Sequence, residues 1–143
     1  MPVNGFSVGR DYAINVQGPS GPLQLNLVTK FTKKPDMIDK KIKGLDGRTR
    51  HVTFYDGWTG SFQIERQDST PEDFFAEQEA AYYAGQNMSP CTITETITEV
   101  SGAVTQYQYV NVILKLADSG TASGDDTVAL SIDFMAERRV KLA

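Results

Sequence analysis

The sequence predicts a mainly β domain, about seven long antiparallel strands with one flanking α-helix. Period-two alternation of apolar and polar residues recurs in several stretches of eight or more residues, the pattern of strands with one buried face. Stretches rich in β-branched residues are separated by Gly, Ser and Asp clusters that read as turns. Only residues 69–85 carry boundary chemistry suited to a helix.

Residues 23–31 alternate Leu23, Leu25, Leu27, Thr29 and Phe31 with Gln24, Asn26, Val28 and Lys30. Val52 and Phe54 alternate with Thr53 and Tyr55. After Asp56-Gly57, a turn pair, Trp58, Phe62 and Ile64 alternate with Ser61, Gln63 and Glu65, so 50–56 and 58–66 read as a hairpin. The run "CTITETITEV" at 91–100 is a further strand that turns at Ser101-Gly102. In 104–116, Val104, Val110, Val112, Leu114 and Leu116 share one parity, and Thr105, Tyr107, Tyr109, Asn111 and Lys115 the other. Residues 127–138 place Val128, Leu130, Ile132, Phe134 and Ala136 on one face. The intervening "ADSGTASGDD" is a connecting loop.

In the helix, Thr70 is placed to cap, Pro71 suits the first position, Asp73 lies in the first turn and Gly85 ends it. Phe74, Phe75, Ala81 and Tyr82 form the side expected to pack on a sheet.

At 143 residues the chain has the length of one domain, 1–143. It has no apolar run near the ~20 residues of a membrane-spanning helix. The opening Met-Pro-Val-Asn-Gly lacks the features of a secretory signal, which makes a cytoplasm the expected place of synthesis and folding. A lone Cys91 cannot form an internal disulfide.

The net charge of −4 hides an asymmetry. Segment 30–50 holds eight basic residues against three aspartates, a net of +5, which leaves −9 for the rest. Opposite patches on one molecule favour head-to-tail attraction between copies, with nucleic-acid contact the alternative use of a basic arm. The arm at about 32–49 lacks the aromatic interleaving of a single-strand binder. Its Met37, Ile38, Ile42 and Leu45 need covering, so self-assembly is the preferred reading.

No catalytic, cofactor or metal motif is legible. Glu72, Asp73, Glu77 and Glu79 invite an acid/base reading, but carboxylates in a first helical turn stabilise the helix dipole, and the others read as a solvated face. His51 and Cys91 have no companions at metal-ligand or nucleophile spacing. "GFSVGR" is not a phosphate loop, and "DSGTASGDD" is not a calcium loop.

The order of elements then becomes informative. A strand, a long basic excursion, a hairpin ending in "WTGSFQIERQD", the helix "TPEDFFAEQEAAYYAG", a Thr-rich strand and a final "AERR" resemble tail tube proteins of long-tailed bacteriophages, over roughly residues 5–139. The resemblance implies an antiparallel β-sandwich or barrel-like core with a flanking helix and a long inter-strand loop or hairpin. It also implies hexameric rings stacked into a hollow tube, in a virion tail assembled in the host cytoplasm. The arm then supplies contacts between rings or subunits through Lys33, Lys34, Met37, Ile38, Lys40, Lys41 and Lys43, with Glu72, Asp73 and Glu77 as acidic counterparts. Gln24, Asn26, Gln63, Glu65 and Asp133 are candidates for the lumen, where an acidic or neutral wall lets DNA pass without specific binding. A sheath, a baseplate and a tail terminator are the implied further partners. An inner-tube protein of a type VI secretion system or a tailocin is the alternative, and a small β-barrel binding module or hydrolase the alternative of another class.

Overall fold

A computed structural model describes residues 4–19, 21–23 and 27–143. After a short 3-10 turn come strands β1 (Tyr12–Gly18), β2 (Gly21–Leu23), β3 (Leu27–Lys43) and β4 (Thr49–Glu65). Helix α1 (Thr70–Tyr83) precedes β5 (Cys91–Thr98), β6 (Val104–Asp118), β7 (Ala129–Ala136) and β8 (Arg138–Lys141). The strands join in the order β2-β1-β5-β6-β7-β4-β3, all antiparallel, with β8 added beside β6. This is the mainly β architecture with one helix that the alternation predicts.

The length of β6 makes one sheet serve as two leaves. Its first part, Val104–Val112, pairs with β5, while Ile113–Asp118 pairs with β7. Val16, Ile93, Tyr109 and Val112 from one leaf and Phe62, Ile64, Leu130, Ile132 and Phe134 from the other form a single buried cluster. Aromatic rings bridge the leaves, with Tyr109 and Phe31 each 5.6 Å from Phe134 between centroids. Cys91 is packed in this core, and burial pushes its thiol pKa up, as befits an inert apolar filler.

Of four strand irregularities among the described residues, three alter the expected faces, the fourth lying at the end of β6 between Leu116 and Asp118. Asp56-Gly57 is not a hairpin turn: β4 runs straight through it, and its actual partner is β3, from which it is separated by the turn at Gly44–Arg48. Pro35 pairs with Trp58 and Met37 with Tyr55, so β4 carries one extra residue there, accommodated by Gly57 at φ +91°. In β6, Ile93 faces Tyr109 but Cys91 faces Val112, and the extra residue lies beside Asn111, whose φ is +51°. Asparagine tolerates this left-handed conformation, and every side chain beyond it changes face. Tyr109 is therefore buried instead of polar-facing, and Val104 is 48% exposed. A third irregularity at Val28/Lys30 turns Val28 onto the core and keeps Phe31 there.

The helix cap also differs from expectation. Ser69 is the N-cap, and Asp68 Oδ1 accepts the Thr70 N–H at 3.0 Å. The other end behaves as read: Gly85 at φ +81° lets Gln86 N–H reach Ala81 O at 2.9 Å and its own N–H reach Tyr82 O at 3.0 Å. The packed stripe runs through Pro71, Phe74, Phe75, Gln78 and Ala81, with Phe74 against Gly18. Tyr82 lies at the margin of that stripe and is 66% exposed, so it does not join the packing face.

Candidate assembly surfaces

β4 meets β7 only between Trp58 and Glu65, so residues 36–55 form a two-stranded ribbon that extends from the body. Eight residues of strand at about 3.3 Å each give it a reach of roughly 26 Å. One face carries the pairs Ile38↔Phe54, Lys40↔Val52 and Ile42↔Arg50, and the other Met37↔Tyr55, Asp39↔Thr53, Lys41↔His51 and Lys43↔Thr49. Ile38 and Phe54 are 54% and 53% exposed, with Ile42 and Val52 beside them. The ribbon is thus amphipathic, with its apolar face uncovered in the subunit. At its tip Asp46 accepts Arg48 N–H at 2.9 Å and Arg50 Nη2 at 3.0 Å. The backbone bond from Arg48 first, then the Arg50 guanidinium, holds the Asp46 carboxyl below its usual range.

Of the predicted contact residues, the ribbon brings together Met37, Ile38, Lys40, Lys41 and Lys43. It does not include Lys33 and Lys34, which lie before its root. Lys34 is on the outer face of the body, while Lys33 turns inward to the fully buried Glu95. Residues 37–52 keep a net charge of +3, with Asp36 and Asp56 at the root.

The acidic candidates lie at the opposite end of the strands. Glu65 pairs with Ala129, and Arg66 N–H donates to Val128 O at 2.8 Å, so the start of α1 and the 119–128 loop meet there. Segments 65–73 and 118–126 hold seven carboxylates against one arginine, a net of −6. Glu72 is engaged by Arg66 at 2.5 Å, and Asp73 accepts the Ser69 hydroxyl at 3.2 Å, while Glu77 is exposed. Arg66 accordingly has its pKa raised by Glu72. From Trp58 to Glu65 the strand spans roughly 23 Å at about 3.3 Å per residue, so these carboxylates and the ribbon occupy opposite poles of the same subunit.

Gln63, Glu65 and Asp133 share the outer face of the leaf formed by β3, β4, β7 and the end of β6. Gln24 and Asn26 lie outside the described residues. Two shallow grooves of about 440 and 270 Å³ cross this face, and they place Lys30, Lys34 and Lys115 around Asp133 among Thr32, Ser61 and Ser131. The face that carries these lumen candidates is of mixed charge.

The signal missed in the sequence is Glu95, a lone carboxylate on the buried parity of Cys91, Ile93 and Ile97. It bonds Lys33 between the leaves. Nearby, Arg139 places its guanidinium 4.0 Å from the Trp58 ring centroid and 3.9 Å from that of Tyr107. Burial, reinforced by Glu95 and opposed by Arg139, pushes the Tyr109 phenol up to about 12. An unfolded tyrosine ionises near pH 10, so the stabilisation from keeping this phenol neutral is complete below about pH 10 and disappears as pH rises through the folded value. Phenolate absorbance of the parent minus that of a Tyr109→Phe variant should show the Tyr109 phenol ionising only together with alkaline unfolding. Ionisation of the Tyr109 phenol near pH 10 while the protein stayed folded would contradict its burial.

Among the described residues no group of three His, Cys, Asp or Glu side chains could hold a metal, and no helix is long and apolar enough to cross a membrane. His51 is exposed on the ribbon, far in the fold from the buried Cys91.

The fold is similar to that of chains in solved structures of contractile injection systems. The chain superposes over 100% of its length, and 96% of the matched chain, on a chain of the sheath/tube terminator structure of the PVC extracellular contractile injection system in its extended state, with TM-score 0.68 and 13% identity. It matches a chain of the anti-feeding prophage tube-terminating cap with TM-score 0.63 and 12% identity, over 100% of this chain and 95% of that one. A third match, to the PVC sheath–tube complex, has TM-score 0.62 and 15% identity over 91% and 88% of the two chains. These are sheath, tube and cap structures. No protein-family model matches the sequence, and no curated protein matches it.

Proposed function

We propose that the protein is a non-enzymatic tube subunit of a phage tail or related contractile injection machine, polymerising as stacked hexameric rings around a central channel. The observation that carries this reading is the amphipathic ribbon: it leaves Ile38, Ile42, Val52 and Phe54 uncovered at one pole and points away from an acidic pole on the same molecule. Such a molecule satisfies its own surface only by repetition, each copy docking its ribbon on the next. β3 also lies at the edge of the sheet, and pairing edges between subunits removes an aggregation-prone border.

In this reading the face bearing Gln63, Glu65 and Asp133 lines the channel, and genomic DNA is the conducted cargo by the phage resemblance. Sheath, baseplate and terminator proteins are the outer and end partners, and the finished tube belongs to the virion or injection particle. A second reading, a cap that ends a tube, is favoured by the full-length matches to terminator and cap structures.

Electron microscopy of the purified protein separates these readings. Stacked tubes are expected for a tube subunit and single closed rings for a cap, while monomers under all conditions would eliminate both. Lys40→Glu with Lys41→Glu should impair ring stacking while leaving the unfolding transition of the subunit unchanged. Normal tubes from that variant would remove the charge-complementarity argument.

A further inference from the structure

We propose that Lys33, Glu95 and Arg139 are positioning residues that set the direction of the ribbon in the free subunit, before any neighbour is present. The ribbon's use in assembly rests on the reading above, but its direction is a property of the single chain.

A two-stranded ribbon has little stability of its own, and what it can reach depends on how its root is held. Both strands are tied at the root to the opposite leaf of the fold. On β3, Lys33 lies two residues before Pro35, the last pair before the bulge. Its ammonium bonds Glu95 of β5 and lies 5.2 Å from the Tyr12 ring centroid and 6.0 Å from that of Tyr107. On β4, Trp58 pairs with Pro35 and is held by the Arg139 guanidinium of β8, whose other neighbour is again Tyr107. Tyr107 of β6 thus lies near both cations, one from each strand's anchor. The backbone is equally constrained at this level. A Cβ on Gly57 would fall 2.6 Å from Ala136 O, and the Asn111 side-chain amide donates to the Glu137 carboxylate just before β8.

This arrangement is a costly way to fill a core. Glu95 is 0% exposed, and a buried ion pair is commonly replaced by apolar residues without loss of stability. What an apolar replacement lacks is directionality. A charge-assisted bond and a guanidinium held between two rings each admit a narrow range of geometries, whereas apolar contacts permit sliding. The same stability with less definition at the root is the outcome that separates positioning from packing.

The test uses spin labels at Lys41→Cys on the ribbon and Gln17→Cys on the body, in a Cys91→Ala background, with the monomer's inter-label distance distribution as readout. The parent should give a single narrow distribution. Lys33→Met combined with Glu95→Met, which leaves no unpaired buried charge and is built to fold, should at least double its width. Arg139→Met should do likewise, and Arg139→Lys should restore part of the narrowness. Hydrogen exchange of β5, β6 and β7 should stay unchanged in each. A distribution already broad in the parent, or one that stays narrow in both methionine variants, overturns the proposal. Loss of protection throughout the body would also overturn it, since the residues would then be general core supports. Failure of the parent to form rings or tubes counts against the assembly reading alone, because these distances are measured on the monomer.

Discussion

Phe134→Ala should lower the unfolding free energy of the subunit by about 3–5 kcal/mol, a large share of the roughly 5–15 kcal/mol that holds a domain of this kind. The ring is buried where the two leaves meet. Phe31 stacks on it at 5.6 Å, Tyr109 meets it edge-on at 5.6 Å and Phe62 lies 6.4 Å away. Gly60 sits directly beneath it: a Cβ there would come within 2.6 Å of the Phe134 ring and 2.2 Å of Thr32 O. The neighbouring strand therefore has no side chain at that position to relax into the space, and the truncated site keeps most of its cavity. Urea unfolding should show the midpoint falling with an unchanged slope. Met135→Ala, one residue along and exposed, should change stability by no more than about 0.5 kcal/mol. Similar losses in both variants would be incompatible with the packing described.

Ile38→Asp together with Phe54→Asp should leave a folded monomer that forms no tubes. The two residues face each other across the ribbon, more than half exposed, so the subunit exchanges a cross-strand contact worth about 0.2–1 kcal/mol for a solvated like-charge pair of similar cost, which leaves the body folded. In the proposed assembly the same positions are covered, and each contact would then bury two carboxylates with no assigned partner, at a cost of several kcal/mol. That penalty recurs in every subunit of a ring. Sedimentation and electron microscopy of the variant beside the parent give the result. Tubes of normal length would mean that this face of the ribbon lies outside the interface.

Much of the architecture is legible because each strand has one wet face. Leu130, Ile132, Phe134 and Ala136 stand on the core side of β7 as their spacing predicts, and Gly85 closes α1 where the helix pattern ends. The failures coincide with bulges. A single inserted residue at Asn111 inverts the faces of β6, and one at Gly57 converts an apparent turn into a continuous strand. Nothing in local composition separates Asp-Gly as a turn from Asp-Gly as a bulge, because both use the same left-handed glycine. The partner strand decides between them, and it lies far away in the chain.

Charge shows the same division. The excess of lysine and arginine over 30–50, the apolar Met37, Ile38, Ile42 and Leu45 among them, and the absence of convergent catalytic chemistry are properties of the sequence alone. They are the part of the proposed assembling subunit that rests on the sequence. Which lysines belong to the arm is a tertiary matter: Lys33 turns inward to Glu95, Lys34 joins Lys30 and Lys115 on the face of the body, and the arm itself starts at its root beside Trp58. The physical reason is that period and composition report the environment of a residue along its own strand. An ion pair between β3 and β5, or an arginine held between rings from β4 and β6, exists only once the two leaves have closed on each other.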